Sequence, residues 1–243
     1  LRLVGSEMCI RDRHERMRKD FVANVSHELR TPLTVVSGFI ENLQIDKELN
    51  TERSARPLDL MAQQTARMSR IVEDLLLLAR LESDTNRNRH DEIDIAWLIR
   101  SAADEIDSLT GDVPRIQCEI SSSRRLRGDE KQLRSVVTNL LVNAVNHTPA
   151  NRAIQIIWRD QGPQSLLEVR DEGEGIAPEH IPRLTERFYR VDAGRSRDRG
   201  GTGLGLAIVK HILQHHDAKL EIRSRLGEGS QFICRFSASR LLE

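Results

Sequence analysis

Aromatic residues, clustered cysteines and long apolar runs are all scarce in this chain of 243 residues. Aromatics make up 3% of the sequence, so a core has to be built from Leu, Ile, Val and Ala. The three cysteines, Cys9, Cys118 and Cys234, form no CxxC pair, which favours isolated buried thiols over a disulfide framework or a metal site. The longest apolar runs, Leu75 to Ala79 and Ile95 to Ile99, fall far short of the roughly 20 residues that a membrane-spanning helix needs.

The chain also lacks a net charge, because 37 Lys and Arg residues balance 37 Asp and Glu residues. This balance argues against a protein whose affinity rests on neutralising nucleic-acid phosphates with a basic surface. Charged residues nevertheless make up 30% of the sequence, which indicates many exposed helix faces. Residues 1–13 are left out of the fold, since VGSEMCIRDR at 4–13 resembles a translated sequencing adapter and predicts a non-native, adapter-derived segment.

Two stretches of the N-terminal third repeat apolar residues at alternating steps of three and four, which predicts two long amphipathic helices. Residues 46–55 between them are polar and are predicted to form the connecting loop. One hairpin cannot cover an apolar seam of this length alone, so two copies are predicted to form a dimeric four-helix bundle. The alternative is a single hairpin that packs on the C-terminal domain. The seam positions are Val22, Val25, Leu29, Pro32, Val36, Phe39 and Leu43, followed by Leu58, Met61, Thr65, Met68, Val72, Leu75 and Ala79.

The pattern changes after residue 83 to that of a mixed α/β domain. Helices and strands segregate instead of alternating as βαβ units, so the predicted fold class is α+β, with one mixed sheet covered on one face by helices. Helices are predicted at 93–109, 129–146 and 204–215, and strands at 115–120, 153–158, 166–169, 219–223 and 231–236. The predicted organisation is a hairpin domain at 14–83, a polar linker at 84–92, an α/β domain at 93–238 and a tail at 239–243.

The first chemical candidate is His27, in the segment SHELRTPL at 26–33. His27 falls at the heptad position opposite the seam, so its imidazole is predicted to face water. Glu28 follows directly and is predicted to hold one ring nitrogen in its N–H form, which leaves the other lone pair free for nucleophilic attack. Thr31 lies one turn further along the same face, where its hydroxyl can position a water or a substrate oxygen. An ordinary surface histidine is the alternative.

A second candidate site is a line of asparagines on the predicted helix 129–146. Asn139, Asn143 and Asn146 share one face of this helix, at steps of four and three. Buried amides need partners, so three of them in an otherwise apolar helix indicate a polar site. A carboxamide oxygen suits Mg²⁺, which keeps some of its waters and bridges phosphates.

Two glycine-rich segments complete the candidate chemistry. DEGEGI at 171–176 follows a predicted strand, and by itself such a segment is most often a turn. RGGTGLGLA at 199–207 supplies unblocked N–H donors at the start of a predicted helix, which suits a triphosphate. It matches neither the GxxxxGK[ST] loop nor the dinucleotide-binding fingerprint. Residues 192–200, with three arginines, have the composition of a lid over a ligand.

Together these segments resemble the characteristic boxes of bacterial sensor histidine kinases, in the family's order and over nearly the whole chain after His14. FVANVSHELRTPL at 21–33 is similar to the phosphoacceptor box. The resemblance implies that His27 takes the γ-phosphoryl group from ATP as a phosphoramidate. It also implies that Glu28 assists as a base, and that Thr31 supports removal of the phosphoryl group from a partner regulator.

For the C-terminal domain the resemblance implies an α/β sandwich of the GHKL (Bergerat) type that binds ATP and Mg²⁺. It assigns the metal to Asn143, with Asn139 beside it and His147 along the nucleotide pocket. Asp171 is then the acceptor for the adenine amino group, and the aromatic box LTERFYRVD at 184–192 helps to dock the ATP domain on the hairpin. The other nucleotide-binding residues that the resemblance implies are Gly173, Gly175, Ile176, Tyr189, Arg190, Gly201, Thr202, Gly203, Leu204, Gly205 and Ser230.

The variants RLTERFYRVD, NAVNHTP and GLGLAIVKH look like those of phosphate-regulon sensor kinases of proteobacteria. This implies a homodimeric ATP:protein-histidine phosphotransferase in phosphate-starvation signalling, whose partner is a PhoB-like response-regulator receiver domain. It further implies the cytoplasmic portion of an inner-membrane protein. Two alternatives stay open: an ATP-binding phosphatase or scaffold without autokinase activity, and an ATPase module of the gyrase or Hsp90 type.

Overall fold

The computed structural model describes residues 24–40, 51–83, 91–109, 114–191 and 201–242. These residues form two compact units, Leu1–Leu75 and Leu76–Glu243. Several predicted features lie outside the described residues: the adapter-derived segment at 1–13, loop residues 46–50, linker residues 84–90 and the lid at 192–200.

The first unit contains the predicted hairpin. Helix α1 is described over residues 24–40, and helix α2 spans Thr51–Ser83, its last eight residues belonging to the second unit. Residues 51–55 were predicted to belong to the connecting loop, but α2 already begins at Thr51. These residues carry no apolar repeat, yet Glu, Arg and Ala among them have high helix propensity, which favours the helix.

The predicted seam of the hairpin is correct only in part. Pro32 of α1 is buried as predicted. In the part of α2 whose burial is described, the buried residues are Ile71, Leu78 and Leu81, and the first two lie one position before the predicted Val72 and Ala79. A hairpin buries only the side of each helix that meets the other helix, so a second apolar line stays open. Its large side chains are each exposed by 44% or more: Leu33 and Ile40 on α1, and Leu58, Val72 and Leu76 on α2.

The second unit is built on a five-stranded mixed sheet, which confirms the predicted α+β class. Its strand order is β2-β4-β5-β7-β6, with β2 parallel to β4 and every other pair antiparallel. Three helices, α3, α4 and α5, pack on it. The strands are β2 Arg115–Ile120, β4 Ala153–Gln161, β5 Gln164–Asp171, β6 Ala218–Arg225 and β7 Gly229–Phe236. The helices are α3 Ile95–Leu109, α4 Glu130–His147 and α5 Gly205–His215.

The core of this unit is aliphatic, as the shortage of aromatics requires. Ile154, Ile156 and Trp158 alternate along β4 and are all fully buried, because they share one face of the strand. Trp158 meets Phe236 of β7 edge to face, with ring centroids 6.0 Å apart. No helix among the described residues combines the length and the apolar character required to cross a membrane.

A small second sheet was not predicted. Strands β1 Asp91–Ile93, β3 Arg125–Gly128 and β8 Leu241–Leu242 pair antiparallel in the order β1-β3-β8. Strands this short carry no readable alternation, so residues 91–92 were assigned to the linker and 239–242 to a tail. The guanidinium of Arg240 ties this tail down: its Nε donates to Asp217 Oδ2 at 2.9 Å.

A buried histidine connects the start of α4 to the end of α5. The backbone N–H of Asp129 donates to His216 Nε2 at 3.1 Å, and His216 Nδ1 lies 2.8 Å from the carbonyl oxygen of Ile212. These partners assign the neutral tautomer with the proton on Nδ1. Asp129 also caps α4, since its Oδ1 accepts from the N–H of Gln132 at 3.1 Å. The histidine therefore fixes the N-terminus of the asparagine helix.

This contact predicts acid sensitivity of the second unit. Burial lowers the pKa of His216 below its ordinary value of 6.5, and nearby Arg240 and His215 lower it further, against the opposing effects of Ile212 and Asp129. His216 therefore binds a proton more readily in the unfolded chain than in the folded chain, so the free energy of unfolding falls as pH drops below about 6.5. For one group the slope is at most about 1.4 kcal/mol per pH unit. Thermal melts from about pH 8 to about pH 5.5 measure it.

The matched pair of variants for this prediction is His216→Gln and His215→Gln. His216→Gln should lower the melting temperature at neutral pH and flatten its decline in acid. His215→Gln removes only the smallest of the causes that lower the pKa of His216, so it should keep most of the decline of the unmodified protein. An equal acid slope in both variants would assign the sensitivity to other groups.

Candidate active site

The segment predicted to hold the phosphoacceptor places two of its polar side chains on the exposed side of α1. His27 and Thr31 are both exposed, one helical turn apart. The Thr31 hydroxyl donates to the carbonyl oxygen of His27 at 3.2 Å, which places the hydroxyl on the same helix face as the imidazole. The imidazole is therefore open to a reactant arriving from outside the hairpin, and Thr31 borders its approach.

Glu28 is bonded to a partner across the hairpin. Its carboxylate was predicted to hold a ring nitrogen of His27, but its Oε2 accepts from Nη2 of Arg67 on α2 at 3.0 Å. Successive residues on a helix point about 100° apart, which lets one oxygen of this carboxylate reach the other helix. Arg67 was missed because its partner is 39 residues away. The available signal was a cation directly beside the predicted seam position Met68.

The asparagines of α4 lie beside the start of α5. Asn139 is half-buried, and its Nδ2 donates to the carbonyl oxygen of Ser135 at 2.8 Å. Its Oδ1 stands where a Cβ on Gly205 would be, so glycine at 205 lets the two helices approach. Asn143 is also half-buried, one turn further along α4. The structure thus brings the asparagine face and the glycine-rich helix start together.

The end of α4 meets the turn that follows β5. A Cβ on Gly173 would collide with the carbonyl oxygen of His147, so only glycine permits this approach. The ring Nδ1 of His147 lies 3.3 Å from Glu174 Oε1, and both side chains are exposed. The predicted nucleotide residues His147 and Gly173 are therefore neighbours in space, although they are far apart in the sequence.

Asp171 is a buried carboxylate at the end of β5, with 7% of its surface exposed. Its Oδ1 accepts from the backbone N–H of Gly173 at 2.9 Å, and Ser230 hydrogen-bonds to it as well. Burial raises the pKa of Asp171, while the hydrogen bonds from Gly173 and Ser230 and the nearby His147 oppose that rise. An acceptor held in this way recognises an N–H donor from a ligand, because its remaining lone pairs are poorly hydrated.

Two glycines with left-handed backbone bring the turn of β6 and β7 against the Asp171 segment. Gly175 has φ +69° and lies against Arg225, while Gly229 has φ +92° and lies against the carbonyl oxygen of Asp171. A hydroxyl network links the same strands: Ser224 Oγ accepts from the N–H of Ile176 at 2.8 Å and lies 3.0 Å from Ser230 Oγ. Ser224 was not predicted, since nothing in its own segment distinguishes it.

The ends of the segment 189–202 are joined. The N–H of Phe188 donates to the carbonyl oxygen of Gly203 at 2.8 Å. Phe188 itself has φ 62°, an unusual value for a residue with a side chain, and Gly203 has φ 71°. Thr202 Oγ1 accepts from the N–H of Leu204 at 3.2 Å, just before α5 begins. Residues 201–203 are half-buried and Leu204 is buried.

Tyr189 and Arg190 follow this junction and are both half-buried. The hydroxyl of Tyr189 lies 2.7 Å from His180 Nδ1, and the guanidinium of Arg183 stacks over its ring at 4.1 Å from the centroid. Tyr189 was predicted to bind nucleotide, but its described contacts are with these two side chains. They hold it against the segment that follows β5.

Two cavities open near these residues. One, of about 670 Å³, is lined by His147, Gly173 and Glu174 together with Thr148, Pro149, Arg152, Glu172, Gly227 and Glu228. The other, of about 410 Å³, is lined by Asp171 and Ser230 and by side chains of β4, β5, β6 and β7. The predicted nucleotide residues therefore form two adjoining groups. Asn139 and Gly205 meet at the α4–α5 contact, and His147, Asp171, Gly173 and Ser230 meet at the ends of α4 and β5.

Two protein families match this chain. The phospho-acceptor domain of the His Kinase A family matches residues 17–84, and the histidine kinase-, DNA gyrase B- and HSP90-like ATPases match residues 128–240. A phosphoacceptor hairpin followed by an ATP-binding domain of this kind defines a class. The chain belongs to the sensor histidine kinases.

Among individual proteins, the chain is similar to the phosphate regulon sensor protein PhoR of two bacteria. It is 46% identical to PhoR of Pseudomonas aeruginosa over 230 residues, which are 94% of this chain and 52% of that protein. It is 39% identical to PhoR of Haemophilus influenzae over 215 residues, which are 88% of this chain and 50% of that protein. The chain thus spans about half the length of these curated relatives.

Solved structures agree on the fold. The full-length kinase ShkA, in complex with AMPPNP, matches with a TM-score of 0.63 and 27% identity, over 91% of this chain and 46% of that chain. The histidine kinase AdeS of Acinetobacter baumannii matches with a TM-score of 0.71 and 23% identity, over 88% and 98%. ThkA, solved in complex with the response regulator TrrA, matches with a TM-score of 0.69 and 23% identity, over 94% and 64%.

Proposed function

We propose that this chain is the catalytic core of an autokinase that phosphorylates its own His27 from ATP and passes the phosphoryl group to an aspartate of a response regulator. The observation that carries the proposal is the exposed imidazole of His27, on a phosphoacceptor hairpin of a chain that also holds the buried acceptor Asp171. A surface histidine that has no catalytic role would not need a ligand-binding site such as that of Asp171 in the same chain.

In this proposal Asp171 recognises the adenine amino group. The carboxylate is fixed by Gly173 and Ser230, and water has little access to it, so an N–H donor of the right shape replaces the missing hydration. His147, Gly173, Gly175 and Ile176 border the base, and the backbone N–H groups of Gly201 to Gly205 face the phosphates at the start of α5. Tyr189 and Arg190 lie at the edge of this site.

The residues present fit a magnesium ion. Asn143 offers a half-buried carboxamide oxygen next to Asn139, on the helix face that meets the glycine-rich start of α5. Such an oxygen is a hard ligand of the kind Mg²⁺ accepts beside phosphate oxygens and water. Bound there, the ion would neutralise charge on the transferring phosphoryl group. Asn139 keeps the helix contact that orients this face.

The transfer itself needs positioning more than covalent help from the protein. A ring nitrogen of neutral His27 supplies the lone pair that forms the N–P bond, and the bond between the γ-phosphorus and its bridging oxygen breaks to release ADP. The proton on the other ring nitrogen passes to a base, for which Glu28 is the nearest carboxylate in sequence. Thr31 then orients the water that removes the phosphoryl group from the regulator.

The resemblance to PhoR supports a narrower assignment within this function. We infer that the chain serves phosphate-starvation signalling, as the core of a longer inner-membrane sensor, and that its regulator has a PhoB-like receiver domain. Phosphotransfer from the labelled chain to a panel of purified receiver domains tests the partner. Fastest transfer to a receiver outside that group would overturn the narrower assignment and leave the autokinase untouched.

The exposed apolar line of the hairpin supports a homodimer. Leu33, Ile40, Leu58, Val72 and Leu76 would be covered if a second copy completed a four-helix bundle. We predict that Val72→Glu converts a dimer of the chain to a monomer, because a charge in that seam would lose its water. Light scattering measures the mass. Leu226→Glu, at a 68% exposed turn position, is the control that should stay dimeric; a monomeric unmodified chain would contradict the prediction.

The central experiment incubates the chain with γ-labelled ATP and tests the chemistry of the label. A phosphohistidine is labile in acid and stable in base, so label with these properties is the expected result. Nucleotide binding without label would favour the phosphatase or scaffold. Continuous ATP hydrolysis without label would favour an ATPase of the gyrase or Hsp90 type. Both results would reject the autokinase.

A further inference from the structure

The ion pair between Glu28 and Arg67 joins the phosphoacceptor segment of α1 to the middle of α2. Arg67 Nη2 and Glu28 Oε2 are 3.0 Å apart, and only 11% of the Arg67 side chain and 20% of the Glu28 side chain are exposed. Water screens a pair this enclosed only weakly, so the two groups hold each other firmly. The residue next to His27 therefore has a fixed partner on the other helix.

The geometry leaves half of the carboxylate available. Arg67 bonds to Oε2, and among the residues that the structure describes Oε1 of Glu28 has no hydrogen-bond partner. A glutamate on a helix surface would otherwise sample several rotamers. Anchored through one oxygen, the carboxylate keeps one orientation, and its other oxygen stays available as an acceptor.

Arg70 is an arginine of the same helix α2 that does not pair with Glu28, and it serves as a comparison for Arg67. It lies three residues beyond Arg67 and is exposed, and among the described residues its one hydrogen bond goes to the carbonyl oxygen of Ala66 on its own helix, at 3.5 Å. Arg67 instead reaches across the hairpin to the carboxylate that follows the phosphoacceptor. The two residues provide a matched comparison on one helix.

We propose that Arg67 is a positioning residue of the phosphoacceptor site, which holds Glu28 so that its free oxygen Oε1 accepts the proton that His27 gives up. This inference rests on the proposed autokinase function. In the step that it serves, one ring nitrogen of His27 forms the N–P bond and ADP leaves with the electron pair of the broken P–O bond. The proton on the other ring nitrogen moves to Oε1 of Glu28.

The test is a double-mutant cycle on labelling from γ-labelled ATP, with the variants Arg67→Met, Glu28→Gln and the combination. Arg67→Met should slow labelling at saturating ATP at least about tenfold, with the KM for ATP unchanged. This is less than the roughly 10²–10⁴-fold contribution of a general base, because Glu28 itself stays in place. The combination should be no slower than Glu28→Gln alone, because the proposed effect of Arg67 on the transfer passes through Glu28. Arg67→Lys should recover most of the rate, and Arg70→Met should match the unmodified chain.

A second donor separates this inference from the function on which it rests. Phosphoramidate phosphorylates histidine directly and needs no nucleotide site, so its reaction with His27 should follow the same order of rates. A chain that phosphoramidate labels and ATP does not would reject the autokinase, while the cycle with phosphoramidate still decides the role of Arg67. Circular dichroism checks that each variant keeps its helix content; if Arg67→Met unfolds, the cycle is run with Arg67→Gln, which removes the charge but keeps a polar side chain.

Two results would overturn the proposal. One is labelling of folded Arg67→Met at the rate of the unmodified chain. The other is additive loss in the double variant, which would mean that Arg67 stabilises the hairpin independently of Glu28.

Discussion

Replacing His27 with Ala should abolish acid-labile labelling from γ-labelled ATP. The imidazole supplies the only lone pair that the proposed transfer uses, and alanine at this exposed position removes it without leaving a buried cavity. The hairpin should therefore stay folded, and nucleotide affinity should stay within about twofold, because His27 does not belong to the second unit. Label counted after acid and base treatment, beside nucleotide binding by calorimetry, measures both.

His215→Ala is the control for this experiment. It removes a half-buried histidine from the end of α5 and should leave labelling intact. Acid-labile label that survives in His27→Ala would show that another side chain accepts the phosphoryl group, and would end the proposed mechanism.

Replacing Asp171 with Asn should cost nucleotide affinity without costing stability. An amide keeps the shape but loses the charged acceptor, and hydrogen bonds to a charged group are worth about 1.5–3 kcal/mol, so affinity should fall roughly 10- to 150-fold. Burial raises the pKa of Asp171, which means that the folded state pays to keep it ionised at neutral pH. The variant should therefore melt at the same temperature as the unmodified chain or higher, most clearly above the raised pKa.

The sign of this effect distinguishes a binding carboxylate from a structural one. As pH falls through the raised pKa, folded Asp171 takes up its proton and the stability difference between the two proteins should shrink. Glu179→Gln, an exposed neighbour on the following segment, should change neither affinity nor melting temperature. A large loss of melting temperature in Asp171→Asn at neutral pH would mean that the ionised carboxylate holds the fold together.

The longer elements could be predicted because each carries a readable period. The helix predicted at 129–146 is α4, Glu130–His147, and the helix predicted at 204–215 is α5, Gly205–His215. The strands predicted at 153–158 and 166–169 are β4 and β5, which pair antiparallel around residues 162 and 163. In these segments the apolar period of the sequence arises because one face of the element is buried, and the structure shows that same face buried.

Other features depend on partners that are distant along the chain, and no local pattern encodes them. Strand β3 has four residues and pairs with β1 and β8, which lie at opposite ends of the second unit. The partner of Glu28 is 39 residues away, and Ser224 joins the Asp171 segment only because β6 and β7 fold back beside it. In α2 the buried position is Ile71, whereas Val72 was predicted to be buried. The spacing of apolar residues shows how wide the apolar face is, but it does not show the angle at which the neighbouring helix packs against that face.

The hydrogen bond from Phe188 to Gly203 has a consequence for how this family can vary. This bond holds Phe188 and Gly203 next to each other, so the distance between the two residues does not depend on the length of the segment between them. Lengthening a segment whose ends are already held costs only the entropy of a longer loop, about 0.6 kcal/mol for each doubling. Insertions and deletions between residues 189 and 202 should therefore leave the start of α5 in place. The length of this segment can then vary among related proteins without a change in the position of the glycine-rich helix start.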